Sequence, residues 1–198
     1  MPEPTTTITR DEVWALLTEY VQSDSLRRHC LSVETAMRAY AEKFGESPDD
    51  WGLVGLVHDF DFEIHPSLDQ HPSEGAPILR ERGYPEWAIR AVLAHGENTG
   101  VEPESMLEKT LVAVDELTGF IAAVAFVRPS KAVADVTPQA VRKKMKDKAF
   151  ARAVDREAMR EGAELLGVEF DEHVAFVIDA MAKNAVVLGL QGVASDGS

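Results

Sequence analysis

Pro48-Asp49-Asp50-Trp51-Gly52-Leu53-Val54-Gly55-Leu56-Val57-His58-Asp59 is apolar nearly all round between its acidic start and its His-Asp end. A helix without a polar face belongs inside a protein, so this stretch predicts a buried helix that begins near Pro48 and runs into His58 and Asp59. Upstream, the periodicity predicts a helix from about Arg10 to Val21. A second follows, capped by Ser23 or Ser25 and ended by Gly45, with Leu26, Val33, Met37, Tyr40 and Phe44 on its apolar side. His29 falls on that apolar side and is expected to point inward.

Downstream, Asp61 to Gln70 is polar and broken by Pro66, which predicts a loop over the site. His71-Pro72 opens a further helix to about Arg82, with Pro77 delaying its regular part. Pro85 starts another that ends at His95-Gly96. A central helix is expected over Glu104 to Val127, with a possible interruption near Thr118-Gly119. Shorter helices follow over Pro138 to Met145 and Asp147 to Arg152, and closing ones over Asp155 to Leu166 and Phe170 to Leu188. No period-two alternation bounded by hairpin turns is present, so the fold class is all-α. With 198 residues and no Gly/Ser/Pro-rich linker, one domain over 1–198 is expected, with loose ends at 1–8 and 191–198 and C-terminal helices within 138–190.

The net charge of −14 opposes general nucleic-acid binding, since phosphates would be repelled by the average surface. Leu111 to Val127 is the longest apolar stretch, yet it contains Asp115 and Glu116 and is barely long enough to span a bilayer, so no membrane partner is expected. No basic start followed by an apolar run opens the sequence, and the single Cys30 cannot form an internal disulfide. Both features fit a cytoplasmic location. Monomer and homodimer are equally compatible with an acidic helical surface.

Five of the six histidines lie between residues 29 and 95. Imidazoles mixed with carboxylates suit first-row transition metals, whereas Ca²⁺ or Mg²⁺ alone would draw mainly oxygen ligands. His29, His58, Asp59 and Asp115 sit in the most apolar segments, where an acid is costly unless it is paired or bound to a metal. Adjacent His58 and Asp59 can share an ion only over the wedge between them, and Asp59 could bridge two.

In this order the residues resemble the H…HD…D pattern of the HD-domain metal-dependent phosphohydrolases, over roughly Arg27 to Phe120 within a metal-site core of about 25–127. His71 and His95 extend the resemblance to the six-ligand H…HD…H…H…D pattern. The segments around His71, His95 and Asp115 are similar to the bacterial HD-type diadenosine tetraphosphatases, and the last third to uncharacterised HD-superfamily hydrolases. The resemblance implies an HD-domain helical bundle with His29, His58, Asp59, His71, His95 and Asp115 as metal ligands. It also implies one or two divalent ions, iron or manganese first, with Co, Ni, Zn or Mg as alternatives.

Two departures stand out. His-Asp-Ile-Gly is replaced by His58-Asp59-Phe60-Asp61, so Asp61 adds a carboxylate that can orient a ligand or water, or cap the turn. The lysine that often follows the His-Asp pair in the tetraphosphatases is absent, which argues against carrying that substrate over. His65 and His173 fall outside the pattern; His65 reads as a loop residue and His173 as an exposed start of the last helix.

The expected activity is hydrolysis of a small phosphorylated metabolite or nucleotide, with Asp59 and Asp61 as the catalytic carboxylates. Phosphoryl transfer needs charge neutralisation, for which Arg128, Lys131, Lys143 and Lys144 are the substrate-binding candidates. Thirteen residues of unbroken helix would put Arg128 about 20 Å from Asp115, so its candidacy requires a break near Gly119. Two rivals remain: a di-iron oxygenase on the same fold, as in inositol oxygenase and the phosphonate-cleaving oxygenases, and a non-catalytic binding or regulatory module.

Overall fold

The computed structural model describes residues 8–67 and 69–193; of the ends expected to be loose, residues 1–7 and 194–198 lie outside the described residues. Nine α-helices and no named strand occur among the described residues, with one isolated antiparallel bridge between Ala132 and Gln191. The chain is all-α. It forms two compact units, Met1–Val112 and Ala113–Ser198.

In the first unit, α1 (Arg10–Tyr20) starts with a capping box in which Glu12 accepts from Thr9 N at 2.7 Å. α2 (Asp24–Phe44) is capped by Ser23 and stopped by Gly45 in the left-handed region at φ 74°, where a residue with a Cβ would be strained. α3 (Pro48–Val57) is buried from Asp50 to Val57, as its lack of a polar face requires. Its closeness to α2 depends on Gly55, because a Cβ there would sit 2.9 Å from the Cα and N of Glu34. Glu34 is itself buried and anchored, accepting from Arg10 at 2.6 and 2.8 Å and from Arg38 at 3.1 Å. α2 and α3 therefore meet backbone to backbone, which brings His29 and His58 within reach of each other.

Residues 59–74 form turns without regular helix, apart from Leu68, which is not described. α4 (Gly75–Glu81) begins later than His71-Pro72, and α5 (Glu86–Ala94) is capped by Pro85 and ends at His95. α6 (Met106–Phe126) opens with a reciprocal Ser105–Glu108 pair, Glu108 accepting from Ser105 N at 3.0 Å while its own N donates to Ser105 Oγ at 3.2 Å. The interruption expected near Thr118-Gly119 is absent. Thr118 Oγ1 donates to Asp115 O at 2.9 Å, and the helix continues through both residues.

The second unit holds the rest of α6, with α7 (Pro138–Met145), α8 (Arg156–Leu165) and α9 (Phe170–Lys183). α8 crosses α6 closely at Gly162, where a Cβ would lie 2.6 Å from Ala113 Cα. The helix expected over Asp147 to Arg152 is instead a set of turns. Arg156 explains this: its guanidinium donates to Ala151 O at 3.0 Å, Val154 O at 2.6 Å and Asp147 O at 3.3 Å, and also to Phe150 O. Those carbonyls point at one cation instead of along a helix axis. α9 ends at Lys183, short of the expected Leu188, with Asn184 closing it and turns following. No helix among the described residues is long and apolar enough to cross a membrane.

Candidate metal centre

His58 and His95 occupy the same place on different helices. Each is the C-cap, of α3 and α5 respectively, and each turns Nδ1 onto the carbonyl three residues back, His58 onto Gly55 O at 2.8 Å and His95 onto Val92 O. Helix ends carry carbonyls with no partner in the helix, so the final turn supplies an acceptor. A carbonyl can only accept, so the proton sits on Nδ1 and the Nε2 lone pair is aimed away from the helix. His71 reaches the same tautomer by another route, Nδ1 donating to Asp61 Oδ1 at 2.8 Å.

The resulting lone pairs converge in two pairs. Nε2 of His29 lies 3.2 Å from Nε2 of His58, and Nε2 of His71 lies 3.1 Å from Nε2 of His95. Asp59 stands between them. Its Oδ2 is 3.6 Å from both His29 and His58, while its Oδ1 is 3.0 Å from His71 and 3.4 Å from His95. Two groups of metal-ligating geometry result, His29-His58-Asp59 and Asp59-His71-His95. Facing lone pairs this close repel unless a proton or cation lies between them. Two nitrogens each about 2.1 Å from one first-row ion stand roughly 3.0–3.4 Å apart, which the observed spacings match. The donor set fits a divalent transition metal at either group.

Burial would push the Asp59 carboxyl up, but His58, the hydrogen bonds with His71 and His95, and His29 outweigh it and hold Asp59 well below the usual carboxylate range. For His71, burial alone would lower the imidazole, yet Asp59 and Asp61 more than reverse that and raise it to about 9. Solvent reaches the centre at His29 and Asp59, whose side chains are 20% and 14% exposed, whereas those of His58, His71 and His95 are at most 6% exposed.

Asp61 is fully buried and its Oδ2 has no hydrogen-bond partner. Its side chain faces His71 and does not cap the turn; the turn closes on its backbone carbonyl, which accepts from Ile64 N at 3.1 Å and His65 N at 2.8 Å. Two glycines make room for this. A Cβ on Gly75 would lie 2.5 Å from Asp61 Oδ2, and one on Gly96 would lie 2.3 Å from Pro72 Cδ.

Asp115 lies half-buried on α6 in the second unit. Unbroken α6 separates Arg128 from Asp115 by thirteen residues, about 20 Å, and the break that would return it is absent. Lys131 and Lys143 are exposed in the second unit, and Lys144 Nζ stacks 4.6 Å over the Phe150 ring. His65 is half-buried and belongs to neither group of candidate ligands. His173, expected to be exposed, is buried, and its Nε2 is 2.9 Å from Ala113 O. That helix start faces inward because the neighbouring Val174 and Val177 are also buried and carry His173 with them.

Sequence reading missed the Gly55 and Val92 carbonyls, although both are legible in hindsight as the residues three before a histidine at a helix end. It also missed Phe62, whose ring crosses His71 at 81° with 5.2 Å between centroids. An aromatic inside a polar loop was the available signal. No curated protein and no solved structure matches the chain. The model of the HD domain matches residues 26–119, the span that carries all five clustered side chains. Together, that match and the paired histidines around one aspartate make residues 26–119 similar to an HD domain, with a His/Asp cluster consistent with its metal site.

Proposed function

We propose that the protein is a metal-dependent phosphohydrolase acting on a small phosphorylated metabolite or nucleotide. The observation that carries this reading is the division of Asp59, one oxygen toward the His29-His58 pair and the other toward the His71-His95 pair. Such a centre can hold two divalent transition-metal cations, iron or manganese first by the family resemblance. Bound cations supply polarisation of a phosphoryl oxygen and acidification of a water.

The chain's own groups set the stage. Gly55 O, Val92 O and Asp61 keep the Nδ1 protons in place, so that three imidazoles present fixed lone pairs. His29 and Asp59 are the most exposed of the five side chains, so a small substrate meets the centre through them, while His58, His71 and His95 are nearly buried. The sequence pattern adds Asp115 as a sixth ligand, and Lys131, Lys143 and Lys144 are the candidates for substrate charge; Arg128 drops out because α6 is unbroken.

Elemental analysis of protein purified without chelators or an affinity metal, beside turnover of a generic phosphodiester and of dinucleoside polyphosphates, tests the reading. About two equivalents of metal, with hydrolysis in both the Fe and the Mn form, are expected. Activity only with redox-active iron would move the assignment to an HD-fold oxygenase. Retained metal and activity in both His58→Ala and Asp59→Ala would refute it outright.

A further inference from the structure

Three consecutive residues after the His-Asp pair point in three directions. Asp61 turns inward to His71 Nδ1 at 2.8 Å. Glu63 turns back to the start of α2, accepting from Gln22 N at 2.6 Å and Ser23 N at 3.0 Å. Between these two anchors Phe62 is fixed in place, its N donating to Asp59 O at 3.1 Å and its ring edge-on to His71. Phe62 is nonetheless 38% exposed and Ile64 43%, while Phe60 is fully buried.

A single exposed apolar residue means little. Here two of them stand within three positions on a turn held at both sides, and one touches a candidate ligand of a centre open to solvent. A rigid, exposed aromatic beside a reactive centre costs hydration free energy in the free protein and regains it when a ligand covers it.

We propose that Phe62 and Ile64 form an apolar lip that receives a flat, apolar group carried by the phosphorylated substrate. The lip therefore selects aryl or base-bearing phosphates over sugar phosphates of the same charge. The assignment rests on the hydrolase reading and adds the substrate's chemistry to it. With the phosphoryl group at Asp59, whose Oδ1 lies 3.0 Å from His71 Nε2, the remainder of the substrate extends past His71 onto the Phe62 ring. Aromatic contacts of this kind favour offset or edge-on geometry.

The test is calorimetric titration of the Mn²⁺-loaded full-length protein with phenyl phosphate and with methyl phosphate, with metal content measured on every variant. Phenyl phosphate should bind about tenfold more tightly, as one good aromatic contact would give. Phe62→Ala should bring that ratio to within about twofold, and Phe62→Tyr should restore it. Ile64→Ala should lower it part-way. An equal affinity of the wild type for the two probes overturns the lip, as does a ratio unchanged in both Phe62→Ala and Ile64→Ala. Loss of metal in Phe62→Ala with the ratio intact in Ile64→Ala also overturns it, because Phe62 would then serve only to shield His71. If neither phosphate binds while metal is present, the hydrolase reading falls and the lip falls with it.

Discussion

The Nδ1 protons of His58, His71 and His95 decide what their Nε2 atoms can do, and Asp61 is the only side chain among the three acceptors. Asp61→Ala should therefore weaken cation binding about 10–100-fold, the usual cost of losing a carboxylate behind a histidine ligand, read by competition against a chelator of known affinity. Unchanged affinity would show that His71 needs no such support. His71 also sets a pH dependence. Its folded pKa is raised to about 9, so in metal-free protein its contacts with Asp59 and Asp61 contribute stability that is fully present below about pH 6.5 and lost as pH rises through about 9. A cation must displace that proton. Its apparent affinity should rise about tenfold per pH unit between roughly pH 7 and 8.5, and a flat titration there would mean that His71 is already neutral. The sequence left the direction of Asp61 open because an irregular turn has no periodicity to aim a side chain. The hydrogen bond with His71 Nδ1 and the room that Gly75 leaves beside its Oδ2 fix it.

Helices are the scale at which the sequence was most readable. Caps at Ser23, Gly45, Thr137 and Asp155 act at the ends of α2, α7 and α8 as their residue types suggest. The failures share a cause: side-chain and packing partners override the helical pattern. Arg156 gathers the carbonyls of Asp147, Phe150, Ala151 and Val154 into turns, and α9 buries His173 beside Ala113. The glycine-mediated approach of α3 to α2 was equally invisible, since a run that is apolar on all sides does not say which side lies closest. Gly55→Val should force the Glu34 backbone away and cost about 1–3 kcal/mol, seen as a lower denaturant midpoint, with cation affinity falling alongside as His58 shifts from His29. In the second unit, His173→Ala should cost about 1–3 kcal/mol through the buried contact it removes while metal stoichiometry stays unchanged.

Over the whole chain, a net charge of −14 means that any cation stabilises somewhat by screening, so specific loading must be separated from it. At equal ionic strength, Mn²⁺ at about 100 times its dissociation constant should add about 2.7 kcal/mol of stability relative to Na⁺, and chelation should remove it; equal melting in the two salts would refute a folded-state cation site. The sequence pattern assigns Asp115 to the same centre, which Asp115→Ala tests through the number of ions retained. Five side chains form the two groups, yet only Asp59 among them carries a formal negative charge. Two helices, α3 and α5, end on the histidines of this centre, and the C-terminal pole of each macrodipole amounts to roughly half an elementary negative charge. The backbone thus contributes counter-charge that no residue count reveals. A centre rich in carboxylates would grip divalent ions more firmly but would turn away a phosphate dianion; one built from neutral imidazoles on helix ends leaves the bound ions enough residual positive charge to attract it.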